Sequence, residues 1–205
     1  MKKVYDTINQ YCVEHDLLMN GDGIVIGLSG GVDSVCLLQV LAALRNEWQL
    51  RLVCVHVHHG IRGTAADEDA AFAQRLAAKY NISFRLYEMD IPQLAKEQGL
   101  SEEEAGRNYR YRCFEEVRKE LNFDKIAVAH HRDDQAVPFI WQILRGSGLR
   151  GVCGMRAGRA NIIRPLLCLD RQQIEQIVRG NGDGWREDAT NREEKYTRNK
   201  IRNRV

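Results

Sequence analysis

Proline is scarce, with three residues among 205. No stretch is Gly/Ser-rich or repetitive, which excludes linker-like and solenoid organisations. No apolar run approaches membrane-spanning length. The six cysteines, Cys12, Cys36, Cys54, Cys113, Cys153 and Cys168, form no Cys-x-x-Cys pair, so zinc and iron–sulfur readings lose their usual support. Several of these thiols sit inside apolar runs of a chain without a signal peptide, which suits a reducing cytoplasm. Net charge is nearly absent at +2. What remains, 44% apolar and 28% charged residues, is the composition of an ordinary soluble globular protein. Its length suits one sizeable α/β domain with a small appendage.

The charge is unevenly spread. From Lys195 to Val205 there are five basic residues, Lys195, Arg198, Lys200, Arg202 and Arg204, and no acidic one. Such an end favours a polyanion, the alternative being a solvated helix face. The chain stops inside this helical pattern with no Gly or Pro signal, so further domains are expected beyond it.

Val4, Ile8 and Tyr11/Cys12 repeat at helical spacing and predict an opening helix. The short apolar run at residues 24–28 reads as a fully buried strand. It enters Ser29-Gly30-Gly31-Val32-Asp33-Ser34, and helical periodicity continues to Leu44. Further strands are expected at residues 51–57, 82–87 and 126–129, with a helix over 67–80. Ser101 with Glu104 is a capping signature for a helix to about Leu121. Another helix is expected to open at His130–Asp134, which would put His130 and Asp134 on one face. Strands separated by long helices predict an α/β fold, a doubly wound, mostly parallel sheet with helices on both faces. The ligand crevice is then expected at the strands' C-terminal ends, where the unusual polar clusters fall. Residues 1–180 form the expected catalytic domain. Residues 181–205 are expected as a flexible Gly-rich loop and a basic helical segment that starts a linker.

A buried strand, a Gly-rich turn and a helix start make an anion site, because free amides and the helix dipole face the ligand. Gly30 and Gly31 are read as allowing positive φ and close approach to phosphate. Ser29 and Ser34 add hydroxyl donors. Asp33 would repel phosphate unless a cation such as Mg²⁺ lies between them. The loop lacks a Walker lysine and the Gly-x-Gly-x-x-Gly pattern. A plain capped turn is the alternative reading.

This hexapeptide resembles the signature of the ATP-pyrophosphatase, or PP-loop, superfamily, whose members cleave ATP between the α and β phosphates. Further segments resemble the tRNA(Ile)-lysidine synthetase family in order and spacing. They are His56-Val57-His58-His59-Gly60-Ile61-Arg62, Glu103 to Arg107 with Arg110-Tyr111, and Ala129-His130-His131-Arg132-Asp133-Asp134-Gln135. Leu144 to Leu149, Arg164-Pro165-Leu166-Leu167, Glu187 to Asn191 and Arg198 to Arg202 complete the set.

The resemblance implies an AMP-forming ligase that adenylates a wobble cytidine and couples lysine to it. ATP and Mg²⁺ are the implied cofactors, and tRNA(Ile) with a CAU anticodon and L-lysine the implied partners. No membrane is involved, and a homodimer is compatible. Catalytic work falls to Asp33, His130, Asp134 and Arg107, with Asp33 and Asp134 near magnesium. Ser29, Gly30, Gly31, Asp33, Ser34, His56 and His58 would hold the nucleotide. Arg110, Tyr111, Arg145, Arg198 and Arg202 would hold tRNA, Tyr111 as a stacking ring. Family members usually carry Glu-Thr shortly after Asp-Asp-Gln, and here Val137-Pro138 stands in that place. One carboxylate is thereby removed from the metal's surroundings, which separates catalytic competence from family membership. A tRNA thiolation enzyme, an amidotransferase-type synthetase and a non-catalytic nucleotide- or RNA-binding module are the competing readings.

Overall fold

The apolar run that follows Gly21-Asp22 forms β1, Gly23–Gly27, and its alternate side chains go to opposite layers. A computed structural model describes residues 2–58, 64–135 and 155–186. Ile24 and Ile26 belong to one apolar cluster and Val25 to the other. That is the period-2 geometry of a strand buried on both faces. The strand β2, Arg51–His58, pairs parallel with β1, and β3, Ser83–Glu88, pairs parallel with β2. On the other flank, β4, Lys125–Ala127, pairs parallel with β1.

Two short strands extend this flank. They are β5, Gly158–Arg159, and β6, Ile162–Ile163. β6 runs parallel to β4 and antiparallel to β5, so the order is β3-β2-β1-β4-β6-β5. The sheet is α/β and mostly parallel, as expected.

Helices cover both faces. On one side lie α1 (Lys2–Glu14), α2 (Val32–Leu44), α3 (Thr64–Lys79) and α6 (Arg171–Gly180), with Ile8, Leu37, Leu76 and Ile177 in one core. On the other lie α4 (Ile91–Gln98) and α5 (Glu102–Glu120), which bury Ile91, Phe114 and Val117. Helix α5 starts as expected, with the Ser101 hydroxyl accepting from the Glu104 amide at 3.2 Å. That cap contributes about 1 kcal/mol. Helices α4 and α6 are additions to the sequence reading. The capping box of α6, between Asp170 and Gln173, ties both ends of its first turn.

Two expectations are corrected. The chain does not enter a helix at His130. Among the described residues no α-helix follows β4 directly: residues 128–131 belong to no helix and a 3₁₀ turn spans Arg132–Gln135, so His130 stands before the turn that holds Asp134. The Gly-rich stretch after Gly180 is not a loose loop. Asp183 accepts from Gln39 at 2.7 Å, from Tyr80 at 2.5 Å and from Lys79. Asn181 bonds Tyr5 at 2.8 Å and Gln39 at 2.9 Å. These ties fasten residues 181–186 to α1, α2 and α3, across the boundary expected at 180. Among the described residues, no helix is long and apolar enough to cross a membrane.

Candidate active site

The turn from β1 into α2 is built around one hydroxyl. Ser34 Oγ accepts from the Ser29 amide (3.2 Å), the Gly30 amide (3.1 Å) and the Ser29 hydroxyl (3.1 Å), and donates to the Gly31 carbonyl at 2.9 Å. Ser34 therefore shapes the loop from within, and its own proton is committed to Gly31. Gly30 has φ +91°, where an L side chain is strained, and a Cβ there would meet Phe72 at 3.4 Å. Gly31 does not use the freedom allowed to it: its φ is −71° as N-cap of α2. A Cβ at Gly31 would meet only the Ser29 hydroxyl, at 3.6 Å.

This loop borders a cleft of about 500 Å³, a size suited to a small-molecule ligand. The cleft lies where strand order turns, with β1 between β2 and β4. Such switch points are where doubly wound sheets bind ligands. Ser29, Gly31, Asp33 and Ser34 line one side, His56 and His58 the end of β2, and His130 the exit of β4. Arg107, Arg110 and Tyr111 form the α5 wall. Gly27 makes room for the floor, since a Cβ there would lie 2.7 Å from Phe114 Cζ.

The histidines differ in environment. His56 is buried, and its Nδ1 lies 2.7 Å from the Leu28 carbonyl. Burial pushes its pKa below the ordinary value, outweighing the bond to Leu28, so the ring is neutral at pH 7. His58 Nε2 stands 3.3 Å from Asp67. His130 Nδ1 receives a bond from Arg164 Nε at 3.2 Å.

The two expected metal carboxylates approach one ring. His131, 1% exposed by its side chain, has Nε2 at 3.8 Å from Asp33 and 3.6 Å from Asp134. Its Nδ1 is 3.6 Å from Asp133, and neither ring nitrogen has a hydrogen-bond partner. Asp134 does not line the cleft. It caps the 3₁₀ turn by accepting from the His131 amide at 3.0 Å, while Asp133 accepts from the Arg171 amide at 3.1 Å. Both aspartates thus accept from backbone amides at the starts of helical turns. Asp33 is clasped by Arg171, whose NH1 group reaches its two oxygens at 2.9 and 3.1 Å. Asp33 offers the cleft a hard carboxylate of the kind magnesium takes, but Asp134 is spent on the turn, and among the described residues no group of three or more His, Cys, Asp or Glu side chains forms a metal site.

On α5, the Arg107 guanidinium sits 5.6 Å from the Tyr111 ring centroid. That distance is within cation–π range, one helical turn apart. Tyr111 meets Phe114 edge-on at 6.1 Å. His59, Gly60, Ile61, Arg62, Val137, Pro138, Arg145, Cys153, the segment 187–191, Arg198 and Arg202 lie outside the described residues.

Four residues that the site reading did not select sit against it. Arg164 and His131 are buried, Arg171 holds Asp33, and Arg186 donates its backbone N–H to the Gly30 carbonyl at 2.9 Å. The Arg186 guanidinium also binds Asp69 and Glu68, each at 2.7 Å. Only Arg164 and His131 had a signal in the sequence, each standing inside a motif-like segment. The other two depend on long-range folding.

Comparison with known proteins was consistent across levels. A tRNA(Ile)-lysidine synthase from Caldanaerobacter subterraneus subsp. tengcongensis is 46% identical over 205 residues, all of this chain and 43% of that protein. One from Clostridium perfringens is 43% identical over 98% of this chain and 42% of its own length. The chain thus spans less than half of these relatives. The fold is similar to that of U34-tRNA thiolase NcsA from Methanococcus maripaludis with its 4Fe–4S cluster, at TM-score 0.76 and 18% identity over 97% of this chain and 69% of that one. The model of the PP-loop domain matches residues 2–205. With the loop, the switch-point cleft and this match together, the chain belongs to the PP-loop domain family.

Proposed function

We propose that this chain is the ATP-using catalytic domain of a tRNA(Ile)-lysidine synthetase. The observation that carries the reading is that one cleft is bordered by the Ser29–Ser34 loop, by His56 and His130, and by the Arg107–Tyr111 wall. A phosphate cradle, two imidazoles and a cationic, aromatic wall suit one nucleotide and one splayed RNA base. Relatives over 40% identical carry the lysidine synthase name.

In the first step, the O2 atom of the wobble cytidine bonds to the ATP α-phosphorus, and the bond to the β-phosphate oxygen breaks. Pyrophosphate leaves with that electron pair. In the second, the lysine ε-amine attacks C2, AMP leaves, and the amine loses a proton. The amides at the start of α2 and the helix dipole neutralise phosphate charge, and His130 stabilises the α-phosphate oxygens. Arg107 and Arg110 orient the acceptor strand, and Tyr111 stacks on the base. Magnesium, held at the cleft wall by Asp33, would supply positive charge against the triphosphate.

Among the described residues no cysteine lines the cleft. Burial pushes Cys12 and Cys54 up to about 12, so neither is a poised sulfur carrier as a thiolation reading would need.

The test is pyrophosphate release with unmodified tRNA(Ile), ATP and lysine, omitting each in turn. Release that requires tRNA(Ile), and lysidine that requires lysine, is expected. Asp33→Ala and His130→Ala should abolish release while tRNA binding survives. Full turnover by either variant, or an acceptor other than tRNA(Ile), contradicts the proposal.

A further inference from the structure

One buried cation beside the cleft has no part in the mechanism so far. Arg164 follows β6 directly and keeps only 8% of its surface exposed. Its Nε donates to His130 Nδ1 at 3.2 Å and its NH1 to the Arg156 carbonyl at 3.0 Å, while its amide donates to the Ala157 carbonyl at 2.9 Å. Arginine is almost never buried unless paired. Here its side-chain bonds go to an imidazole and a carbonyl. Burial pulls the guanidinium below its ordinary range, but arginine keeps its charge in proteins.

The chemistry of the donor decides the state of the acceptor. A guanidinium has only N–H donors. His130 Nδ1 must therefore present its lone pair, and the proton of the neutral ring sits on Nε2. His56 is wired in the opposite sense. Its Nδ1 faces the Leu28 carbonyl at 2.7 Å, an acceptor only, so Nδ1 carries the proton and Nε2 the lone pair. Both rings line the same cleft. One is set as a donor and the other as an acceptor.

Resting on the proposed function, in which His130 meets the α-phosphate, we propose that Arg164 is a positioning residue. It locks His130 as the Nε2–H tautomer, so that the ring offers a hydrogen-bond donor to the phosphate during nucleotidyl transfer. No proton moves from His130 in this step. The Nε2–H bond shortens onto an oxygen whose charge grows as the α-phosphorus gains the cytidine oxygen and loses pyrophosphate. An arginine suits this post because its planar fork anchors on the Arg156 carbonyl while Nε holds the ring.

The test reads the ring directly. Imidazole ¹⁵N spectra are recorded for the chain, for Arg164→Met and for Arg164→Lys, with His130→Gln assigning the His130 signals. The wild type should show His130 unprotonated at Nδ1 and protonated at Nε2. Arg164→Met should give mixed tautomers at His130 and leave His56 unchanged, which reports intact folding. In pyrophosphate release, kcat should fall about 10²-fold in Arg164→Met, as expected for a misheld imidazole, with KM for ATP within about threefold. Arg164→Lys, which keeps a donor, should restore the Nε2–H tautomer and recover about tenfold of that rate.

A wild-type proton on Nδ1, or a His130 tautomer unchanged in Arg164→Met, overturns the proposal. So does a tautomer change without a loss of kcat. Should Arg164→Met lose the His56 signal as well, Arg164→Lys decides alone: Nε2–H retained supports the proposal and Nδ1–H refutes it. Failure of ATP to bind the wild type is distinguishable, because the ring spectra remain readable. It removes the proposed function and overturns the catalytic purpose assigned to Arg164.

Discussion

Replacing Ser34 with alanine removes one oxygen from the centre of the phosphate-binding turn. That oxygen accepts three bonds, from the Ser29 and Gly30 amides and the Ser29 hydroxyl, and donates one to the Gly31 carbonyl. Ser34 is 5% exposed, so the partners it leaves on its own side are poorly reached by water. A typical bond contributes about 1 kcal/mol net, and an orphaned buried group costs about 1–3 kcal/mol. The Ser29 hydroxyl and part of the amide surface border the cleft and can turn to water. The expected loss is therefore about 2 kcal/mol rather than four full bonds. For a chain of this size that corresponds to a fall in Tm of roughly 4–8 °C. Urea unfolding should show a lower midpoint with an unchanged slope, because the surface exposed on unfolding stays the same. The turn also loses the hydroxyl that fixes its shape before phosphate arrives. A further 1.4 kcal/mol of ordering cost would weaken ATP binding about tenfold. A Tm within about 1 °C of wild type together with unchanged ATP affinity would refute this reasoning.

Other perturbations probe the surroundings of the site. Gly27→Ala forces a methyl to within 2.7 Å of Phe114 Cζ, and overpacking should cost about 1–3 kcal/mol in urea unfolding; an unchanged midpoint contradicts the described floor of the cleft. Asp183 is held below its ordinary pKa: burial pushes it up, but the bonds from Lys79, Tyr80 and Gln39 outweigh burial. Its stabilisation is therefore present above the unfolded aspartate value and is lost as pH falls through the lower folded value. Asp183→Asn should flatten the acid side of the stability–pH curve, and a curve parallel to wild type contradicts the role of this carboxylate. Arg171→Ala removes the guanidinium that clasps Asp33, so Mn²⁺ titration by calorimetry in the presence of ATP should show tighter metal binding; unchanged or weaker binding means that Arg171 does not compete for that carboxylate.

The central strands and the loop were legible because their signals are local. Residues 24–28 are continuously apolar, and Gly30 is needed where φ is +91°. The helix starting near Ser101 was legible for the same reason, its cap lying three residues away. What stayed hidden is non-local. Strands β5 and β6 hold two residues each, too few for a periodicity, and they exist because Ile162 and Ile163 pair with Ile126 and Ala127. That pairing is also what delivers Arg164 to His130. The run from Gly180 to Gly184 looked loose because glycine favours freedom. Asp183 is nevertheless fixed by Gln39, Lys79 and Tyr80, each more than a hundred residues away. His130 and Asp134 have helical spacing, but Asp134 turns back to cap the His131 amide, and that local bond decides against a shared face.

The account stands most directly on where a triphosphate binds, and ATP titrated into ¹⁵N-labelled protein with backbone amides followed one by one reads this. The predicted result is saturable shifts centred on the amides of Ser29, Gly30, Gly31 and Ser34, with smaller changes at His56 and His130. Shifts centred on another surface, or no saturable change at this loop, would contradict it.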